Sequence, residues 1–84
     1  MKLYSLRDVK AGTYGPVMMA QNDGHMGRTL VESFRGSGHT VEKYPGDFEL
    51  FQIAEFDASA GTTDRELRFV CNVSVLFDGG KVNA

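Results

Sequence analysis

The stretch from Pro45 to Asp57, Pro-Gly-Asp-Phe-Glu-Leu-Phe-Gln-Ile-Ala-Glu-Phe-Asp, decides the fold because a turn signal leads directly into strand alternation. Apolar side chains dominate one face of the predicted strand, whereas the other face mixes two apolar residues with three carboxylates. One face therefore suits a core, and the other suits half-coverage by a helix or a partner. The first face holds Phe48, Leu50, Ala54 and Phe56; the second holds Glu49, Phe51, Ile53, Glu55 and Asp57.

The residues before this strand predict a hairpin. Lys2 to Val9 alternate weakly and are rich in strand formers, and Lys10 to Thr13 form a turn. A second short strand is expected from Tyr14 to Ala20. Pro16 lies within it, and proline cannot donate to a ladder, so we expect this strand at an edge or at a bulge.

A single helix is predicted between the two halves of the sheet, from Asp23 to Arg35. Asn22 and Asp23 are favoured N-cap residues, and Gly36 supplies a stop signal. A short extended segment, Thr40 to Tyr44, should follow the helix. The apolar positions recur at four-residue spacing, which places one stripe on the core; they are Met26, Leu30 and Phe34.

Strict period-two alternation predicts a last strand from Arg65 to Asp78, after a flexible connection at residues 58–63. Such a strand is longer than usual, so it either contains a bulge or pairs outside the monomer, as in a homodimer. Residues 1–78 then form one domain, and Gly79 to Ala84 a mobile tail. The predicted core face holds Leu67, Phe69, Cys71, Val73, Val75 and Phe77.

Together these segments predict an α+β fold, with an antiparallel sheet of about four strands and one helix packed on it, in the order β-β-α-β-β. A domain of this size buries roughly 60% of its unfolded surface, so its core is modest. Self-association would add buried surface, and we expect a homodimer or a higher homo-oligomer.

The amino-acid composition limits the classes of function that the chain can have. The 84 residues carry nine Lys plus Arg against eleven Asp plus Glu, a formal net charge of -2, so any nucleic-acid binding must use a local patch. The single cysteine forms no internal disulfide, and the chain has no signal-peptide pattern and no apolar run of roughly 18 residues. These features favour a reducing cytoplasm and no membrane partner.

No catalytic or metal-binding pattern stands out. His25, His39 and Cys71 lack the spacing of a metal site, and a thiol on an apolar strand face is a poor nucleophile. The loop from Gly36 to His39 follows a helix instead of preceding one, which argues against a phosphate loop. The carboxylates of the Pro45–Asp57 strand suit a solvated face better than acid-base chemistry or cation binding. We therefore expect no enzyme activity, no cofactor and no metal.

Several short motifs give a family resemblance when they are taken in chain order. The chain resembles the small nonstructural protein of gokushoviruses, which are single-stranded DNA bacteriophages of the Microviridae. The resemblance implies a nonstructural, DNA-binding protein that acts in genome replication or packaging in the host bacterial cytoplasm. The motifs are Lys2-Leu3-Tyr4-Ser5, Gly15-Pro16, Pro45-Gly46-Asp47-Phe48, Leu50-Phe51 and Ala54-Glu55-Phe56-Asp57.

A single-stranded DNA site needs cations for the phosphates and exposed aromatic rings for the bases. If the first and last strands are neighbours, five cations and two tyrosines share a surface that binds without strong sequence preference. In the alternative interpretation these are scattered solubilising charges and packed tyrosines, and the chain is a homo-oligomeric interaction module acting on a phage or host protein. The predicted DNA-binding residues are Lys2, Arg7, Lys10, Arg65, Arg68, Tyr4 and Tyr14.

Overall fold

A computed structural model describes residues 1–79 and confirms the α+β class, with an antiparallel sheet and helices packed on it. A 3₁₀ turn at Pro45–Asp47 leads into the fourth strand. The strands are β1 (Lys2–Asp8), β2 (Thr13–Tyr14), β3 (Met18–Ala20), β4 (Phe48–Asp57) and β5 (Thr62–Asn72), and the helices are α1 (Asp23–Phe34), α2 (Thr40–Lys43) and α3 (Val73–Phe77).

The sheet has the order β2-β1-β4-β5, and every pairing is antiparallel. β3 also pairs with β1, on the edge that β2 occupies further along. The predicted second strand is thus divided around Pro16 into two short pieces, which is why the sheet has five strands and not four. Its predicted edge position is confirmed, because a residue without an N–H is tolerated there.

Helix α1 lies across one face of the sheet and supplies much of the core. The Asn22 side chain caps it by accepting a hydrogen bond from the His25 N–H, as the sequence predicts. Two contiguous clusters of buried residues fill the space between helices and sheet. The larger contains Tyr4, Ala20, Met26, Leu30, Leu50, Cys71 and Leu76, and the smaller contains Val41, Phe48 and Val73.

The segment after α1 is helical, so the predicted extended structure at Thr40 to Tyr44 is wrong. Side-chain capping explains the difference. The His39 imidazole accepts from the Val41 N–H, and the Glu42 carboxylate accepts from the amides of Gly36 and Gly38. The bond to His39 satisfies a backbone donor in the first turn of α2, and the bonds to Glu42 hold the preceding loop against that turn.

The last predicted strand is correct only in its first half. β5 ends at Asn72, whose side chain accepts from the Ser74 N–H and starts α3, and Val73 and Leu76 are buried at helical spacing. The predicted single core face is also wrong. Cys71 is buried, but Leu67 and Phe69 are each more than half exposed. The reason is a bulge.

That bulge lies where β5 pairs with the middle of β4. Leu50 is opposite Cys71, whereas the next residue, Phe51, is opposite Phe69, so β5 has one extra residue, Val70. An extra residue in a strand reverses the alternation of side chains beyond it. Cys71 therefore packs in the core, and Phe69 projects from the other face.

The predicted connection between β4 and β5 forms a tight, hydrogen-bonded turn. The Asp57 carboxylate accepts hydrogen bonds from the N–H groups of Ser59 and Ala60, and Gly61 adopts a φ of 71° before β5 begins at Thr62. Of the predicted mobile tail, residues 80–84 lie outside the described part of the chain.

Candidate nucleic-acid interface

The face of the sheet opposite α1 carries no helix among residues 1–79, and we call it the open face. Arg7 on β1 is directly opposite Tyr14 on β2 and Glu49 on β4, and Phe51 on β4 is opposite Phe69 on β5. Directly opposed residues of an antiparallel pair project to the same side. These five side chains, contributed by four neighbouring strands, therefore share the open face.

Three rings on the open face form a continuous line, which we call the aromatic row: Tyr14, Phe51 and Phe69. Phe51 is central, and the centroid of its ring lies 5.6 Å from that of Tyr14 and 5.6 Å from that of Phe69. Both contacts are edge-on, the geometry that the ring quadrupole favours. Tyr14 is 45% and Phe69 52% exposed, so the rings at both ends remain accessible.

Apolar side chains extend this surface beyond the aromatic row. Leu67, two residues before Phe69 on β5, is exposed, and so is Met19, which pairs with Leu3 at the β3 edge. Several large apolar side chains exposed on one face of a sheet indicate a binding site more strongly than apolar side chains exposed singly. The open face is therefore the strongest candidate site in the described chain.

Two predicted cations, Arg7 and Arg65, border the open face, and Lys10 lies in a neighbouring turn. Arg7 lies on that face beside Glu49, with 3.5 Å between Nη1 and Oε1, and both side chains are partly exposed. Arg65 is exposed on β5, and Lys10 is exposed in the turn that joins β1 to β2, where it lines a pocket with Tyr44 on the helix side. An exposed ion pair of this length is weak, so Arg7 can exchange its carboxylate for a phosphate at low cost.

Tyr4 and Arg68, also predicted to bind DNA, instead belong to a hydrogen-bonded network beneath α1. Tyr4 is fully buried, and its hydroxyl donates to the Asp23 carboxylate over 2.7 Å. Arg68 Nη2 donates to the same carboxylate oxygen over 2.7 Å and to Gln52 Oε1 over 2.8 Å. The prediction that Tyr4 stacks on a base is wrong because a base cannot reach its ring.

The network explains the pKa values of its members. Burial alone would raise the pKa of Asp23, but the hydrogen bonds from Arg68 and Tyr4 stabilise the carboxylate and lower its pKa below the ordinary value. Burial and the bond to Asp23 raise the pKa of the Tyr4 hydroxyl above its ordinary range. A charged carboxylate and a protonated phenol thus hold the start of α1 on the sheet.

The predicted seven-residue site therefore divides between the two faces. Lys2 is opposite Glu55, and its charge helps to lower the pKa of Asp23, which places it on the α1 side with Tyr4 and Arg68. Arg7 and Tyr14 lie on the open face, with Arg65 at its margin, and Lys10 lies in the β1–β2 turn beside the pocket next to α2. The expectation that five cations and two tyrosines share one surface does not match this arrangement.

Sequence reasoning missed the two phenylalanines of the aromatic row. The strict alternation predicts Phe69 in the core, because the position of the bulge at Val70 is invisible in it. Phe51 was placed on the mixed face of its strand, and that position is correct. An aromatic ring between Glu49 and Ile53, on a face too polar to be core, was the signal available for a binding residue.

Other features of the described residues are weaker candidates for a binding site. A pocket of about 340 Å³ lies between the β1–β2 turn and α2, with Lys10 and Tyr44 in its wall, but the Asp8 and Asp47 carboxylates line it and oppose an anionic ligand. Across residues 1–79 no group of three or more His, Cys, Asp or Glu side chains is arranged to hold a metal ion.

The family model described as Phage ORF5 protein matches residues 1–76. The chain belongs to this family. It is therefore a bacteriophage protein, and its setting is an infected host cell. The matched region runs from β1 into α3 and includes the whole open face. No curated protein and no solved structure matches the chain.

The family assignment supports the phage part of the sequence-based resemblance, and it adds no residue-level function. Within the described residues of this Phage ORF5 family member, no helix is long and apolar enough to cross a membrane. The open face thus remains the feature from which a function is to be argued.

Proposed function

We propose that this phage protein is non-enzymatic and binds single-stranded DNA, with bases stacked on the aromatic row. The observation that supports the proposal is the line of Tyr14, Phe51 and Phe69 across a sheet face that no described helix covers. Unpaired bases stack on exposed aromatic side chains, and a sheet that presents aromatic rings is a common platform for them. Stacking tolerates any sequence, because every base has a π-face.

The charges around the open face suit a modest electrostatic contribution. Arg7, Arg65 and, in the neighbouring turn, Lys10 are the cations that would meet phosphates, whereas Glu49 limits the local positive charge. Three phosphate contacts on a single strand predict a slope of log K against log salt of about -2. The net charge of -2 is consistent with binding that depends more on stacking than on charge.

The setting we propose follows the resemblance to the gokushovirus nonstructural protein. The protein would act in the host bacterial cytoplasm during genome replication or packaging, when single-stranded genomes of the Microviridae are exposed. On β4 the Glu49 carboxylate and the Phe51 ring share the open face, so stacking on Phe51 would take place beside a negative charge. In this proposal Phe51 is a binding residue as well as part of the sheet.

The test is fluorescence anisotropy with labelled oligonucleotides at two salt concentrations. Phe69→Ala should weaken binding by about 5- to 150-fold, since stacking on one ring contributes roughly 1–3 kcal/mol per base. Tyr44→Ala is the matched control, because Tyr44 is an exposed aromatic residue outside the aromatic row, and its affinity should stay that of the wild type. No binding at about 50 mM salt, or equal losses in both variants, would refute the proposal.

A second candidate is an interaction module for a phage or host protein. The exposed apolar side chains of Met19 and Leu67, next to the aromatic row, favour it, because protein interfaces also use apolar and aromatic side chains. Pull-down from infected cells after nuclease treatment separates the two functions. A protein that remains bound to the wild type and is lost with Phe69→Ala would favour this candidate.

A further inference from the structure

We propose that the outer edge of β5 pairs with β5 of a second copy of this chain, antiparallel and with Leu67 on the two-fold axis. The proposal rests on the sheet edge and on the charges along it. It does not depend on DNA binding.

The edge is available for pairing. β5 is the last strand of the sheet, and among residues 1–79 it pairs with β4 alone, so one side of its 11-residue backbone has no strand partner. Unpaired N–H and C=O groups along an edge are a template for another strand, and proteins usually protect such edges with charge. Here Leu67 and Phe69 are 55% and 52% exposed on that strand, which leaves apolar surface beside the template.

The length of β5 favours one register. Leu67 is the central residue of Thr62–Asn72, so a two-fold axis through Leu67 lays the two strands side by side over their greatest length. Side chains from Arg65 to Phe69 then meet on matching faces, and the bulge at Val70 ends this regular stretch. Any other centre shortens the stretch over which the two strands lie side by side. An axis between two residues would also place side chains of opposite faces against each other, which regular pairing does not allow.

The charges favour the same register. With Leu67 on the axis, Glu66 of each copy is directly opposite Arg68 of the other, which gives two complementary pairs. An axis at Glu66 would oppose two glutamates, and an axis at Arg68 would oppose two arginines; both arrangements are repulsive. Within the described residues, Arg68 uses Nε and Nη2 for Asp23 and Gln52, and its Nη1 has no hydrogen-bond partner and is available to Glu66 of the second copy.

The paired copies would form one ten-stranded sheet with a continuous open face. Leu67 meets Leu67 at the seam, and Arg65 of one copy is opposite Phe69 of the other, where a guanidinium and an aromatic ring attract each other. Each copy thereby adds a cation to the end of its partner's aromatic row. The two rows lie on the same side of the combined sheet.

Disulfide trapping tests the register. In a Cys71→Ala background, Leu67→Cys should form a covalent dimer under mild oxidation, since opposed Cα atoms lie about 4.5–5.5 Å apart, within disulfide reach. Arg65→Cys is the matched control, because its two copies would be separated by on the order of 13 Å along the strands, beyond that reach. Equal trapping at both positions, or preferential trapping at Arg65→Cys, would overturn the proposal.

Sedimentation equilibrium without DNA tests the interface. At a concentration where the wild type is dimeric, Leu67→Lys should be monomeric, because two ammonium groups would meet on the axis. Met19→Lys, on the open face but away from β5, should remain dimeric, and circular dichroism checks that both variants fold. A monomeric wild type at the highest attainable concentration overturns the proposal. So does a dimer that persists in Leu67→Lys or is lost in Met19→Lys.

Discussion

Tyr4→Phe is the substitution that most directly tests the buried network beneath α1. It removes one oxygen atom and leaves the ring, so the packing of the core changes little. The atom removed is the donor of the 2.7 Å hydrogen bond to Asp23, in a residue that is fully buried. The carboxylate keeps its bond from Arg68 but loses its only other side-chain donor among the described residues.

The expected cost follows from the charge on the acceptor. A hydrogen bond to a charged group contributes about 1.5–3 kcal/mol, against roughly 1 kcal/mol for a neutral pair. We therefore expect Tyr4→Phe to lower the free energy of unfolding by about 2 kcal/mol. For a domain of this size that corresponds to a fall in Tm of roughly 8–16 °C.

Urea unfolding at neutral pH measures the change, and a double-mutant cycle with Asp23→Ala assigns it. Once the carboxylate is gone, Tyr4→Phe should cost much less, because the hydroxyl has lost the acceptor that made the bond strong. A cost below about 0.5 kcal/mol in the wild-type background would refute the reasoning. So would the same cost in both backgrounds, since the bond to Asp23 would then not be its source.

The pKa shifts of Asp23 and Tyr4 predict the pH range in which their network stabilises the folded protein. The folded protein lowers the pKa of Asp23, so this contribution to stability is present above the ordinary carboxyl pKa and is lost as the pH falls through the folded value. The raised pKa of Tyr4 acts at the other end: its contribution is complete below a pH of about 10 and is lost as the pH rises further. Tyr4→Phe should make the free energy of unfolding depend less on pH at both the acidic and the alkaline end.

Two further predictions concern loops. The Glu42 carboxylate accepts from the amides of Gly36 and Gly38, which lowers its pKa, so Glu42→Gln should speed hydrogen exchange at one or both amides in NMR spectra, and unchanged rates would contradict this. Gly61→Ala should cost about 1–2 kcal/mol in thermal unfolding because φ is 71° and a Cβ there has no contact within 4 Å, so only backbone strain acts. Gly46→Ala, with equal space and no positive φ, is its control, and equal costs would rule out strain.

Most of the fold follows from patterns that the chain maintains without interruption. The alternation from Phe48 to Gln52 and the four-residue spacing through α1 each define one buried face, and the register of β4 against β1 shifts only beyond Gln52. β5 violates this condition, because the extra residue Val70 reverses the alternation, and nothing in the residue type distinguishes a bulged valine from a paired one. The two short helices depend on capping by His39 and Asn72, which are common in loops as well.

The candidate site was only partly predictable because proximity to cations does not determine which face a ring occupies. Tyr4 and Tyr14 look equivalent in the sequence, yet Tyr4 turns inward and Tyr14 outward. The informative residue was Gln52, a polar side chain on the predicted core face, which needs a buried partner. Arg68 is that partner, and its role beneath α1 accounts for the loss of one predicted DNA contact.

The interruption at Gly15 to Val17 has a consequence for how far the protein can assemble. It leaves the outer edge of β1 covered by pieces of two and three residues, too short for a stable strand interface, whereas β5 offers 11 residues in one run. A subunit that can pair through only one edge of its sheet forms dimers and does not polymerise through its edges. The stoichiometry of edge pairing would then stop at two.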